Sequence, residues 1–329
     1  MNTKCRRRGS VVMGSRKENE GGWDAFPACG GRRQWALLAR LLDGTKLGRA
    51  ITEPERFGEH PEFSAWTWNA DAILASASVP SPHAQCFDPT SLYHSILRTR
   101  LKDQSAGSNG TVFDAFARLR TIDEASFFEV IGDAIRQTHY VTLRCHDAIS
   151  PARSHKRIGA AVKEFLRQEE GHHKLVAASL AQISSTWESD TRVLDSTRAM
   201  MAVLEYSARR NAAALCSCVG NFEGSAYDET DPFAELLSKS SKPAAAAGLQ
   251  RHFLINKREA HSLVGRNWSL ALNGLSKNEA LEAVRLAELL VILEKVDLKS
   301  MRSLSGMYEA RVEEAGNPVG IDEGKESVR

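Results

Sequence analysis

The chain has 329 residues, 42% of them hydrophobic and 26% charged, with a formal net charge of +2. That is the composition of an ordinary globular chain long enough to bury a sizeable core, and it excludes low-complexity and strongly polyelectrolyte classes. No basic run with interleaved aromatics occurs beyond the first thirty-odd positions, and no apolar stretch approaches bilayer length, so neither nucleic acid nor membrane is expected as a partner.

Arg6, Arg7 and Arg8 are not followed by the apolar segment of a secretory signal, and the cytoplasm is the expected location. Cys5, Cys29, Cys86, Cys145, Cys216 and Cys218 resemble neither a dense disulfide framework nor a zinc ligand set. Cys216 and Cys218 form a CxC, but residues two apart on a helix point about 200° from each other, so both read as small core residues.

In chain order, residues 1–32 are rich in Gly, Arg and Lys and read as a disordered or flexible segment. A short helix is expected at 33–42. It opens an irregular N-terminal wrap over 33–89, which holds five of the ten prolines, with Trp66 and Trp68 as anchors. From 90 to 311 the pattern is helical throughout, with helices expected near 90–102, 111–120, 123–149, 154–183, 190–222, 231–240, 244–273 and 276–311. Pro151, Asp231-Pro232 and Pro243 mark helix starts, and Asp190 and Ser276 read as N-caps. Residues 312–329 read as a flexible tail. The fold class is therefore an all-α bundle.

Chemistry enters where polar residues interrupt an apolar stripe. On the expected helix 154–183 the inward stripe runs Ile158, Val162, Phe165, Glu169, His172, Val176, Ser179. A carboxylate and an imidazole at i, i+3 share one face and can close on one metal ion, or bond each other without metal. The neighbouring register, Glu170 with His173, lies toward the edge of the stripe and reads as solvated.

Three more helices offer inward polar groups. His139 and His146 fall on a face with Phe128, Ile135, Thr142 and Ile149. Glu223 ends a small-residue face made by Ala212, Cys216 and Val219, and is open to two readings, ligand or frayed helix end. His252, Asn256 and Glu259 lie within about 60° of arc beside leucines, whereas His261 falls on the opposite side and reads as a structural or surface histidine. Facing helices of a bundle are where mixed oxygen and nitrogen ligand sets for iron or manganese are built.

The stretch EFLRQEEGHHKLVAASL, the Glu-Gly-Ser helix end at Glu223 and the stretch RHFLINKREAH together resemble the haem-oxygenase-like diiron oxidases, over roughly residues 90–310. The resemblance implies a haem-oxygenase-like helical bundle with an irregular N-terminal extension. It implies a non-haem iron enzyme that uses O2 to oxidise a small amine- or carboxylate-bearing metabolite, by N-oxygenation or oxidative C–C cleavage. Its cofactor would be Fe(II), one or two ions, with O2 as co-substrate, in a biosynthetic setting, and homodimerisation is left open. Glu169, His172, Glu223 and His252 would be ligands. Asn256 stands where the family has Asp, Glu259 where it has a second His, and His139 is the nearest substitute for an early-helix Glu.

Arg136, Arg144, Lys257 and Arg258 flank the ligand helices and could anchor a substrate carboxylate or simply be solvated. The alternatives are a cofactorless enzyme of the same fold, with Cys145 as its reactive group, and a degenerate oxidase acting as a binding or partner subunit. Haem oxygenase activity is disfavoured, because clustered carboxylates are the wrong surroundings for a porphyrin.

Overall fold

A computed structural model describes residues 68–79, 86–105, 109–184, 192–224 and 229–316, which form an all-α body. The expected features at 1–32 and 33–42, Trp66, Asp190 and the tail beyond 316 lie outside the described residues.

Helix α1 (Ala70–Ala77) begins at Asn69, whose side chain accepts the Ala72 N–H. It leads into β1 (Ser78–Val79), paired antiparallel with β2 (Cys86–Phe87). Trp68 ties this segment down: its backbone N–H donates to Glu288 Oε1 at 2.8 Å and its indole N–H to Asp103 Oδ2 at 3.1 Å. Glu288 also accepts from Arg285 at 2.7 Å, so this buried carboxylate is compensated by charge-assisted bonds.

Helices α2 (Pro89–Ser105), α3 (Asn109–Ile122) and α4 (Glu124–Ile149) follow. Asp123 caps α4 by accepting from the Ala125 and Ser126 N–H groups. The buried stripe of α4 runs through Phe127, Val130, Ile131, Ala134, Ile135, Cys145, Ala148 and Ile149. His146, expected on the inner face, is exposed and hydrogen-bonds Arg153 at 2.7 Å, because Cys145 takes the inward place.

Three helices expected to be continuous are each broken. The segment 154–183 becomes a 3₁₀ turn at Ser150–Ser154, then α5 (Gly159–Gln168) and α6 (His172–Ile183), with Gly171 at φ 89° between the two helices. The segment 190–222 becomes α7 (Asp195–Arg210) and α8 (Ala212–Glu223), hinged at Asn211, whose side chain accepts the Ala214 N–H. After α9 (Pro232–Ser238), the segment 244–273 becomes α10 (Ala246–Arg258), a 3₁₀ turn at His261–Leu263 and α11 (Val264–Ala271), with Ala260 left-handed at φ 55°. The buried stripe runs on through the break at Gly171, from Glu169 to His172 and Val176, so periodicity does not reveal it. Ala260 carries no turn signal at all.

The last helix, α12 (Lys277–Gly316), starts with a capping box in which Ser276 Oγ and Glu279 satisfy each other's backbone N–H groups. Ala283, Val284, Leu286, Leu290 and Leu293 are fully buried and Arg285 and Glu288 are buried as a pair, so this stretch is covered on every side and serves as the central helix of the body. Among the described residues no helix is long and apolar enough to cross a membrane.

Two glycines set the spacing that matters for the site. A Cβ on Gly248 would come within 2.2 Å of the Leu175 carbonyl oxygen, so α10 lies with its backbone against α6. A Cβ on Gly265 would come within 2.3 Å of the Cys216 carbonyl oxygen, so α11 lies equally close to α8.

Candidate metal centre

Those close approaches bring the ends and breaks of five segments to one point. Glu169 is the C-cap of α5 and His172 the first residue of α6, so the pair straddles the turn at Gly171 instead of riding one continuous helix. The spacing still serves, because the turn keeps a His172 N–H to Glu169 carbonyl bond of 3.2 Å. Glu169 and His172 are 6% and 4% exposed, whereas Glu170 is exposed and His173 half-buried, so the inward register is Glu169/His172.

His261 Nδ1 lies 3.0 Å from Glu169 Oε1 and 3.4 Å from Glu223 Oε2, and His172 Nδ1 lies 3.1 Å from the same Glu169 oxygen. One ligand atom from each of Glu169, Glu223 and His261 falls within 4.8 Å of the others, a grouping able to hold a metal ion. The His252 ring stands edge-on to His172 at 5.2 Å, and Asn256 donates to Glu223 Oε2 at 3.5 Å. Glu169, His172, Glu223, His252 and Asn256 thus come together from the sequence reading.

Glu259 and His139 do not join them. Glu259 caps the end of α10 and pairs with Arg258 at 3.0 Å. His139 lies beside His173, ring centres 6.4 Å apart.

The residue that sequence reasoning missed is His261. On an unbroken helix it would face away from His252. The turn at Glu259 and Ala260 swings it inward until it is fully buried between the two carboxylates. The faint signal was the helix end itself: Lys257 and Arg258 are a basic last turn.

The donor atoms have a telling defect. Glu169 Oε1, His172 Nδ1, His252 Nε2, Asn256 Oδ1 and both nitrogens of His261 are buried without any hydrogen bond. Several lie 3.0–3.4 Å from one another, yet their directions do not align as donor and acceptor. Buried polar groups in a folded protein nearly always find partners, and atoms that crowd together without bonding are arranged for something placed between them.

No protein-family model matches the sequence, and no curated protein or solved structure matches the chain.

Without a metal, protons take its place. Burial works to raise the Glu169 carboxyl, but the imidazoles of His172 and His261 outweigh it and hold it at about 2. Burial raises the Glu223 carboxyl, with the neighbouring Glu169 charge adding to the effect. Burial would lower His261, but Glu169 and Glu223 overcome that and lift it to about 9. His252 is pushed down to about 4 by burial and by the neighbouring imidazoles of His172 and His261, against the pull of Glu169, so it is a neutral nitrogen donor at pH 7.

A cavity of about 520 Å³ adjoins the group and is bordered by Glu169, Glu223, His252 and Asn256. Its other walls are mainly apolar, with Phe113, Val141, Met200, Leu204, Phe222 and Leu298 among them. Cys145 also borders it. Burial raises that thiol well above its ordinary range, and the Glu169 and Glu223 charges push the same way. Of the four flanking cations, Arg136 is buried beside Asp133 and Ser184, whereas Arg144, Lys257 and Arg258 are exposed. Cys216 and Cys218 are free thiols buried in α8.

Proposed function

We propose that the chain is a non-haem iron oxidase or oxygenase that uses O2 on a small amine- or carboxylate-bearing molecule held in the 520 Å³ cavity. The observation that carries this reading is the set of buried, unbonded donor atoms of Glu169, His172, His252 and His261, with Glu223 beside them, a group that borders the cavity through Glu169, Glu223 and His252. Two carboxylates and neutral imidazoles suit a divalent first-row metal of intermediate softness, and a thiolate-loving ion finds no thiolate here.

Bound there, Fe(II) would supply the electrons that O2 activation requires. Glu169 and Glu223 would provide the anionic charge, and His172, His252 and His261 the nitrogen donors. Asn256 would add no charge, and its amide instead orients Glu223 from 3.5 Å. His261 would stand in for the second family histidine, two positions later than the sequence pattern puts it. The apolar wall of Phe113, Val141 and Leu204 would keep bulk water from the reacting face of the substrate.

The cofactorless alternative would need Cys145 as a thiolate, and the carboxylates beside it oppose that ionisation. The test is iron content and O2 uptake after anaerobic reconstitution of the protein with Fe(II). At least one iron per chain with O2 consumption supports the oxidase reading. No bound iron and no uptake would leave the binding or partner-subunit reading in its place.

A further inference from the structure

The cavity has a polar wall that the metal donors do not use. Asn221 stands two residues before Glu223 on α8 and its side chain diverges toward α12, where its Nδ2 donates to Glu294 Oε2 at 3.4 Å. That carboxylate fixes the amide's orientation, since the flipped amide would set oxygen against oxygen. Asn221 is 7% exposed, borders the cavity, and its Oδ1 receives no hydrogen bond. One turn further along α12, Asp297 borders the same cavity at 4% exposure. Its two oxygens accept the hydroxyls of Ser196 and Thr197, and each keeps a lone pair.

The charge here does not balance. Arg100 lies 3.4 Å from Glu294 and compensates it. Among the described residues no cation is paired with Asp297: its partners are the hydroxyls of Ser196 and Thr197, and burial together with the Glu294 charge pushes its carboxyl up to about 6. Arg100 and Lys257 also border the cavity, but Arg100 is held by Glu294 and Lys257 is exposed, so the buried anion Asp297 and the buried acceptor Asn221 Oδ1 still share one want on this wall, a cationic donor.

We propose that Asn221, Glu294 and Asp297 form a subsite for the ammonium group of the substrate, setting it at the α12 wall with the apolar body of the molecule reaching toward the Glu169–Glu223–His261 group. This rests on reading the cavity as the substrate chamber. It makes a cationic amine the recognised class and a bare carboxylate a poor ligand, because a carboxylate at this wall would face Glu294 and Asp297. An ammonium offers three N–H donors in a tetrahedral spread, enough for Asn221 Oδ1, Asp297 and Glu294 at once.

The test is calorimetric titration of the full-length protein, as purified and after iron loading, with pentylamine and with pentanoate. Pentylamine is expected to bind in both states and pentanoate in neither. Glu294→Gln and Asp297→Asn, each checked for native circular dichroism, should weaken pentylamine by about tenfold or more. Equal binding of both probes, or unchanged pentylamine binding in both variants, would overturn the proposal. So would binding lost on iron loading and in Glu223→Gln, which would place the ammonium in the metal position. Pentylamine binding with the expected variant effects, but no iron uptake, would remove the oxidase reading and leave the subsite standing.

Discussion

His261 Nδ1 lies 3.0 Å from Glu169 Oε1, with no hydrogen bond between them. The two residues lie far apart in the sequence, and each sits at a helix break: Glu169 before Gly171, and His261 just after Ala260. The candidate centre is therefore assembled from helix ends. This differs from a bundle site presented on the faces of continuous helices, and it makes the breaks as important as the ligands.

His261→Ala should abolish stoichiometric metal binding, whereas Glu259→Ala should leave it intact, because Glu259 turns outward to Arg258. Glu169→Ala should behave like His261→Ala, and Glu170→Ala like the unaltered protein. Plasma emission measurement of iron after reconstitution and desalting reads all four. Loss of metal in Glu170→Ala alone would reverse the assigned register.

Gly171→Ala tests the first break. A Cβ there meets nothing within 4 Å, so the cost is the left-handed backbone alone, about 1 kcal/mol. The urea midpoint should fall accordingly with the slope unchanged. Iron affinity should fall as well, since any relaxation of the turn moves Glu169 relative to His172. A variant with wild-type midpoint and affinity would show that the turn does not depend on glycine.

Metal affinity should rise with pH. In the metal-free protein His261 holds its proton up to about 9, and that proton must leave before the nitrogen can ligate. Below that value each unit of pH is expected to strengthen binding by about tenfold for each proton released. The check is Fe(II) or Mn(II) affinity by competition from pH 6.5 to 8.5 in buffers of differing ionisation enthalpy. A flat profile would mean that His261 is already neutral.

Asp297 makes an opposite kind of prediction, on stability. Its folded-state carboxyl is raised to about 6 from an ordinary 3.8, so between those values the folded chain holds a proton that the unfolded chain has lost. Stability from this group is full below the ordinary value and is lost as pH rises through about 6, at a cost on the order of 2–3 kcal/mol. Glu169, held at about 2, works the other way, its contribution being lost as pH falls below 4.5. Asp297→Asn should therefore gain relative to wild type above pH 6 and lose that advantage near pH 4, as read by urea unfolding at each pH.

The sequence alone determined the helical class, most helix starts and the inward register of Glu169 and His172. These depend on local matters: apolar periodicity, a proline or capping residue, and the cost of burying a charged group without a partner. It also marked Glu223, His252 and Asn256 as polar residues on buried faces. Tertiary structure decided the rest. Whether a helix bends at Asn211 or breaks at Ala260 depends on what packs against it, and the approach of α11 to α8 at Gly265 fixes where His261 must go. Extending one helical period through Ala260 put His261 on the far side and Glu259 on the near one, and a single left-handed residue exchanges them. The Asn221, Glu294 and Asp297 wall was equally hidden, because its members lie on two helices whose juxtaposition no local pattern records. A periodic sequence reports how deeply a side chain is buried, but which side chains share one cavity is settled only when the helices meet.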